Sequence, residues 1–269
     1  MTPLLDIRDL AIEAHGKPLV SGLSLSIAAG ERVGLIGESG SGKSLTALAA
    51  IGLLPDGLRA AGSILLDGAQ VVGTPDRDLV ALRGTAAAVI FQEPLTALDP
   101  LMKIGRQIGH AVRRRAKRDG RPADKASVEH EALALLDQVA LPEPRRISGS
   151  WPHEISGGQR QRAAIAMALA CNPKLLIADE PTTALDVTTQ AEILSLLGRL
   201  VVERDMALLF ISHDLPVVAG AVERVVVMQH GRAVETGAVS TVFGQPKHPY
   251  TQSLVAAARA FDEALEITR

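Results

Sequence analysis

Four residues in the stretch GESGSGKSL, residues 37–45, could do chemistry together: Gly37, Gly42, Lys43 and Ser44, in the order G-x-x-x-x-G-K-S. The chemistry is that of a phosphate chain. Glycines let the backbone curl so that successive N–H groups point inward at an anion, where a Cβ would block the approach. A helix beginning near Lys43 would add its positive end. Lys43 can neutralise the β- and γ-phosphates of a nucleoside triphosphate, and the Ser44 hydroxyl is placed to ligate Mg²⁺. Glu38, Ser39, Gly40, Ser41 and Leu45 fill the same loop and first helical turn and are read as part of the nucleotide site.

A second anion-binding end stands in HEISGGQRQRAAIAMALACNP, where Ser156, Gly157, Gly158 and Gln159 open an amphipathic helix. One strand-loop-helix unit already surrounds a triphosphate, so this second end is expected to face the nucleotide of a different chain. A third motif, KLLIADEPTTALD, ends an apolar run on two adjacent carboxylates. Successive strand residues point to opposite faces, so Asp179 and Glu180 cannot share one task while the strand stays regular.

The elements that must position these groups are legible from hydrophobic patterning. RVGLIG, LLIAD and ALLFIS are short, continuously apolar runs, the mark of strands covered on both faces in a parallel sheet. Helical patterns at about 43–54, 158–171 and 187–204 fall between them, which predicts an α/β fold with a mainly parallel sheet. Near the N-terminus, LLDIRDLAIEA and GLSLSIAAG alternate apolar and polar residues, as half-buried antiparallel strands do. Residues 92 to about 155 contain no good strand and two expected helices, 103–118 and 126–139, an inserted helical sub-domain. Its loop KRDGRPADKAS has the charge, Gly and Pro of an exposed connector. Residues 236–269 read as short C-terminal helices.

Composition removes several functions. The 269 residues are 47% apolar, enough for a sizeable core, and the 28 basic against 30 acidic residues leave a net charge of −2, so no field favours a polyanion. Aromatic residues make up 2% of the chain, too few for stacking on single-stranded bases. The basic run RRRAKR, residues 113–118, is read as a solvated helix face or helix end. It could also approach anionic lipid headgroups. Cys171 excludes an internal disulfide and is expected to be a buried, inert thiol. His110, His130, His153, His230 and His248 lack partners at metal spacing and read as surface or capping residues. No apolar stretch approaches the roughly 18–20 residues that cross a bilayer, and the N-terminus carries acids where a signal peptide would be basic. The expectation is a cytosolic chain whose membrane role needs partner chains.

Taken together, the phosphate loop, ISGGQ and ADEPTTALD, in that order, resemble the ATP-binding-cassette (ABC) ATPases, over residues 4 to about 235; Ile155 stands where the signature is usually Leu. The resemblance implies a P-loop core over residues 1–235, with the helical sub-domain inserted at about 92–157 and a C-terminal helical extension over 236–269. It implies ATP and Mg²⁺ as ligands. Asp179 resembles the Walker B carboxylate that holds Mg²⁺, Glu180 the general base, and Asp186 the D-loop residue that crosses the dimer interface. Gln92, directly after the strand AAVIF, resembles the Q-loop glutamine that reaches the metal and the lytic water, and it can couple phosphate occupancy to rotation of the helical part. His213 resembles the switch histidine that contacts the γ-phosphate. His15, in EAHGKPL, stands upstream of the loop where the family usually has an aromatic residue on adenine; it reads equally as a stacking imidazole or a plain turn residue.

Two subunits closing head to tail are implied, each ATP covered by the other chain's Ser156–Gln159. FQEPLTALDP and VFGQPKHPYTQSLVAAA look like the dipeptide, oligopeptide and nickel importer branch. That branch implies a second ATPase subunit (usually a different chain, with a homodimer also possible), two membrane permeases and an extracytoplasmic substrate-binding protein. It also implies a peripheral position on the cytoplasmic face of the inner membrane and no nucleic acid. Some members carry an iron–sulfur cluster, which a chain with one cysteine is not expected to hold. The alternatives are a soluble cassette ATPase acting on nucleic acid or ribosomes, and a P-loop kinase or GTPase, which would leave SGGQ unexplained.

Overall fold

The computed structural model describes residues 2–183 and 185–267, with side chains as far as residue 260. The chain runs first through β1 (Leu5–Ala14), β2 (Lys17–Ile27), β3 (Arg32–Ile36), α1 (Lys43–Ala50), β4 (Leu58–Leu66), β5 (Ala69–Gln70) and α2 (Asp76–Leu79). It continues with β6 (Ala87–Ile90), α3 (Pro94–Ala97), α4 (Ile104–Arg118), α5 (Lys125–Gln138), α6 (Pro144–Gly149), a 3-10 turn at Pro152–Glu154, α7 (Gly157–Leu169), β7 (Leu175–Asp179) and α8 (Val187–Glu203). The last part is β8 (Ala207–Ser212), α9 (Leu215–Ala221), β9 (Arg224–Gln229), β10 (Arg232–Ala238), α10 (Val239–Gly244) and α11 (Pro249–Ile267). These elements form two compact units: residues up to Leu82 together with those from Asp205 onward, and Arg83–Arg204.

In the first unit, β2, β1, β4 and β5 make an antiparallel sheet in that order. The alternation read in LLDIRDLAIEA is interrupted, because the β1–β2 register shifts between Ile7 and Leu10 and Asp9 takes φ 48°. That bulge re-aims the strand so that Leu5, Ile7, Leu10 and Ile12 are all buried. The second sheet of this unit sets β3 parallel to both β8 and β9, with β10 antiparallel at the edge. Val33, Leu35, Ile36, Leu209 and Ile211 are fully buried, as continuous apolar runs require of strands covered on both faces. The strand β10 extends to Ala238, past the point where the sequence pattern fades, and the following residues form one short helix and one of 19 residues rather than only short ones.

The helix after the phosphate loop ends at Ala50 instead of 54. Leu53 N–H bonds to Leu48 O at 2.9 Å and Gly52 N–H to Ala49 O at 3.1 Å, the crossed closure that terminates a helix, and Pro55 follows.

In the second unit β6 and β7 run parallel, Ile90 opposite Ala178. No strand lies between them in sequence; α4, α5 and α6 pack together there, burying Ile104, Ile108, Val112 and Ala116 of α4 and Val128, Leu135 and Leu136 of α5. Each large apolar side chain so buried contributes roughly 1.5–3 kcal/mol. Two expectations need correction here. Arg115, within RRRAKR, is not a solvated residue: it is 5% exposed, ion-paired with Glu131 and donating to Asn172 Oδ1 at 2.9 Å. Arg114, Lys117 and Arg118 of the run do face solvent, with Arg118 paired to Asp119 at 2.8 Å. Cys171 is half-buried, in the turn after α7, because that helix stops at Leu169. Burial pushes its thiol up, against the pull of Arg118, Arg114 and Arg115, so it stays protonated and unreactive.

Candidate nucleotide site

The phosphate loop leaves β3 and enters α1, whose N-terminal cap is Gly42. Gly37 has φ 150°, and a Cβ there would stand 2.2 Å from the Met228 carbonyl oxygen of β9, so neither the conformation nor the space admits a side chain. Two outside elements brace the loop: Gly231 N–H, in the β9–β10 turn, donates to Ser41 O at 3.2 Å, and Glu38 N–H donates to the Tyr250 hydroxyl oxygen of α11 at 2.8 Å.

Lys43 is 4% exposed and lies back along its own loop, with Nζ donating to Gly37 O at 2.8 Å and Glu38 O at 2.9 Å. Ser41 Oγ is buried and has no hydrogen-bond partner. Ser44 lies on the exposed side of the first turn of α1. A glycine cradle, an orphaned buried hydroxyl and a buried ammonium lying against the loop's own carbonyls suit an anion with several oxygens. The residues therefore fit a triphosphate.

His213 follows β8, and Ile36 of β3 lies opposite Ser212 in the parallel ladder. The phosphate loop and His213 thus leave adjacent strands at the same carboxyl end, the position at which open α/β sheets hold ligands. Asp214 behind it caps α9 through Val217 N–H at 3.2 Å and receives no part in the site. His15 is exposed at the tip of the β1–β2 hairpin with φ 47°.

In the second unit, Gln92 and Glu180 stand past the carboxyl ends of the paired strands β6 and β7. Asp179 is the last residue of β7, and Glu180 takes φ 46°, a conformation that costs a non-glycine residue of order 1–3 kcal/mol. That turn ends the alternation of the strand and gives the second carboxylate its own direction. Glu180 Oε2 accepts from Gln92 Nε2 at 3.3 Å and from Thr183 Oγ1 at 3.0 Å. Thr183 was not singled out by the sequence pattern, although it lies in the same PTTALD run.

The opening of α7 is a reciprocal cap: Ser156 Oγ accepts from Gln159 N–H at 3.3 Å, and Gln159 Oε1 accepts from Ser156 N–H at 3.1 Å. Asp186 caps α8 in one direction only, its carboxylate accepting from Thr189 N–H at 3.0 Å and Thr189 Oγ1 at 2.7 Å. Those bonds, the backbone one first, hold the Asp186 carboxyl below the usual range, so it is ionised at neutral pH. A Cβ on Gly158 would lie 2.7 Å from Thr189 Cγ2, which shows how closely the two helix starts approach. A cavity of about 190 Å³ lies beside them, lined by Gln92, Leu95, Gly157, Arg160, Gln161 and Pro181 among others.

Among the described residues no three His, Cys, Asp or Glu side chains group as a metal site. Mg²⁺ needs no such cage, since it keeps waters and takes one or two protein oxygens plus phosphate oxygens. Among the described residues, no helix is long and apolar enough to cross a membrane.

Comparison with known proteins places these motifs in context. The model of the family described as ABC transporter matches residues 20–183. The peptidoglycan transport ATP-binding protein YejF of Agrobacterium fabrum is 49% identical over 261 residues, 95% of this chain and 47% of that protein. The chain thus spans about half the length of that relative. The oligopeptide transport ATP-binding protein OppD of Salmonella typhimurium is 44% identical over 264 residues, 96% of this chain and 77% of OppD. Among solved structures, the dimeric post-hydrolysis state of the ATP-binding cassette MJ0796 bound to ADP and phosphate superposes with a TM-score of 0.76 at 27% identity, covering 87% of this chain and 98% of that one.

Proposed function

The chain belongs to the ABC transporter family, and from that premise we propose that it is the ATP-hydrolysing subunit of an importer of peptides. The observation that carries hydrolysis is the Glu180 carboxylate, held by Gln92 and Thr183 one residue beyond Asp179. The nucleotide-binding domain is residues 1–235, with the helical sub-domain at about 92–157, and residues 236–269 are the extension of the oligopeptide-transporter type.

ATP is held at the loop from Gly37 to Leu45, where Lys43 exchanges the carbonyls of Gly37 and Glu38 for β- and γ-phosphate oxygens. Ser44, Asp179 and Gln92 would hold Mg²⁺. Bound there, magnesium would neutralise charge on the phosphate oxygens. Glu180 takes the proton of the attacking water as its oxygen bonds the γ-phosphorus and the bond to ADP breaks, releasing phosphate. Gln92 orients that water and His213 contacts the γ-phosphate. His15, at its hairpin tip, lies against adenine.

Ser156, Gly157, Gly158, Gln159 and Asp186 serve the nucleotide of a second ATPase subunit, a different chain or a second copy of this one. ATP bridges both subunits through its γ-phosphate and ADP does not, so nucleotide state shifts the closed–open equilibrium. Two membrane permeases and an extracytoplasmic substrate-binding protein complete the assembly on the cytoplasmic face of the inner membrane. The names of the relatives favour peptides over nickel, and transport over action on nucleic acid or ribosomes.

The test is reconstitution of the chain with its permeases in vesicles. ATP-dependent uptake of a labelled oligopeptide is expected. An assembled complex whose ATP turnover and uptake ignore every peptide offered would refute the assignment.

A further inference from the structure

A single phenol of the C-terminal segment, that of Tyr250, reaches the phosphate loop and accepts from Glu38 N–H. The peptide unit joining Gly37 to Glu38 is gripped at both ends: its oxygen accepts from Lys43 Nζ at 2.8 Å, and its N–H donates to the Tyr250 oxygen at 2.8 Å. The orientation of this peptide therefore decides where the loop's lysine rests and which way one of the loop's amides points. Nothing in the chemistry of phosphate binding requires a tyrosine from the last helix at this place.

Tyr250 is itself held. Its ring is buried, its residue 8% exposed, and its own N–H donates to His248 Nδ1 at 3.2 Å. The N–H groups of Lys247 and His248 donate to the two oxygens of Glu235 on β10, each at 3.0 Å. A carboxylate on the edge strand thus fixes the 247–248 turn, the turn starts α11, and the second residue of α11 reaches the loop. Burial raises the Tyr250 hydroxyl above its ordinary range, so it stays a neutral phenol across physiological pH.

We propose that Tyr250 is a positioning residue for the nucleotide, fixing the Gly37–Glu38 peptide so that the loop is ordered before the phosphates arrive. The inference rests on the reading of residues 37–45 as an ATP site. Ordering a loop in advance removes that cost from the binding step. By linkage, whatever displaces the segment from residue 245 to 251 weakens nucleotide binding, and nucleotide steadies that segment by the same factor.

The test is Tyr250→Phe in the full chain, which removes one oxygen and leaves the ring. ATP is titrated by calorimetry, the Glu38 amide is followed by NMR, and thermal unfolding is recorded without nucleotide. The dissociation constant should rise about two- to tenfold, the worth of one neutral hydrogen bond. The Glu38 amide should shift upfield, and the unfolding temperature should move by no more than a few degrees. Equal ATP affinity in the two proteins overturns the proposal, even if the variant unfolds at lower temperature, since that pattern marks a merely structural hydroxyl. A wild-type chain that binds no ATP would instead refute the nucleotide reading, and Tyr250 with it.

Discussion

Gln92 donates its side-chain amide to the Glu180 carboxylate at 3.3 Å, and Glu180 meets it on a left-handed backbone of φ 46°. The two residues leave the carboxyl ends of neighbouring parallel strands, so the sheet sets their spacing while the strained turn sets the direction of the acid. Strain at this position is sustained because Thr183 Oγ1 also holds Glu180 Oε2 and Thr183 N–H reaches back to Glu180 O at 3.4 Å. A regular strand would have aimed Asp179 and Glu180 at opposite faces; the turn at Glu180 breaks that alternation, so its direction is set by the turn and by Gln92 and Thr183.

The tight turn at Gly37 predicts an unequal cost for two similar substitutions. Gly37→Ala puts a methyl group into the Met228 carbonyl oxygen, whereas Gly40→Ala, also at positive φ, meets nothing within 4 Å. Gly40→Ala is expected to cost about 1 kcal/mol, and Gly37→Ala about 3 kcal/mol or more, with ATP binding lost. Thermal unfolding of both variants checks this, and equal losses would contradict it.

Much of this site could be read from residue order because its parts are local. RVGLI before the loop and LLIAD before Glu180 are continuous apolar runs, and the structure covers them on both faces. The strand β4 was not legible: LRAAGSILL buries only Ile64 and Leu66, so it shows neither alternation nor a continuous apolar run. Arg115 is hidden in a uniform basic run; only the tertiary fold separates its buried guanidinium from its solvated neighbours. Tyr250 lies 212 residues from its partner Glu38, a distance over which spacing carries no signal.

A pH effect follows from the cap of α5. Asp124 accepts from Ser127 N–H and Ser127 Oγ and from Ala126 N–H, all at 3.0 Å, and the Ser127 backbone bond is the main reason its carboxyl lies below the usual range. A depressed carboxyl contributes stability that is present above the unfolded value near 3.9 and is lost as pH falls through the lower folded value. Asp124→Asn keeps a capping oxygen without the charge. The gap in unfolding temperature between wild type and variant should be widest at neutral pH and close below about pH 4. A gap independent of pH would contradict this.

Ser156 separates binding from turnover. If, as proposed, it faces another subunit's nucleotide, Ser156→Arg should leave this chain's own ATP affinity within about twofold while lowering turnover of the assembled transporter by about 10², the scale on which lost anion donors act. Losing the cap costs about 1 kcal/mol, which thermal unfolding measures separately. Loss of ATP affinity in the isolated chain would place Ser156 at its own nucleotide and contradict the head-to-tail arrangement.

The most direct measurement is ATP binding and ATP turnover by Glu180→Gln in the assembled transporter. An amide in place of the carboxylate keeps the shape and still accepts from Thr183, but it cannot take the proton of water. Binding within a few-fold of wild type, with turnover lower by roughly 10² to 10⁴, is the result expected of a lost general base. Turnover close to wild type would show that Glu180 is not the base.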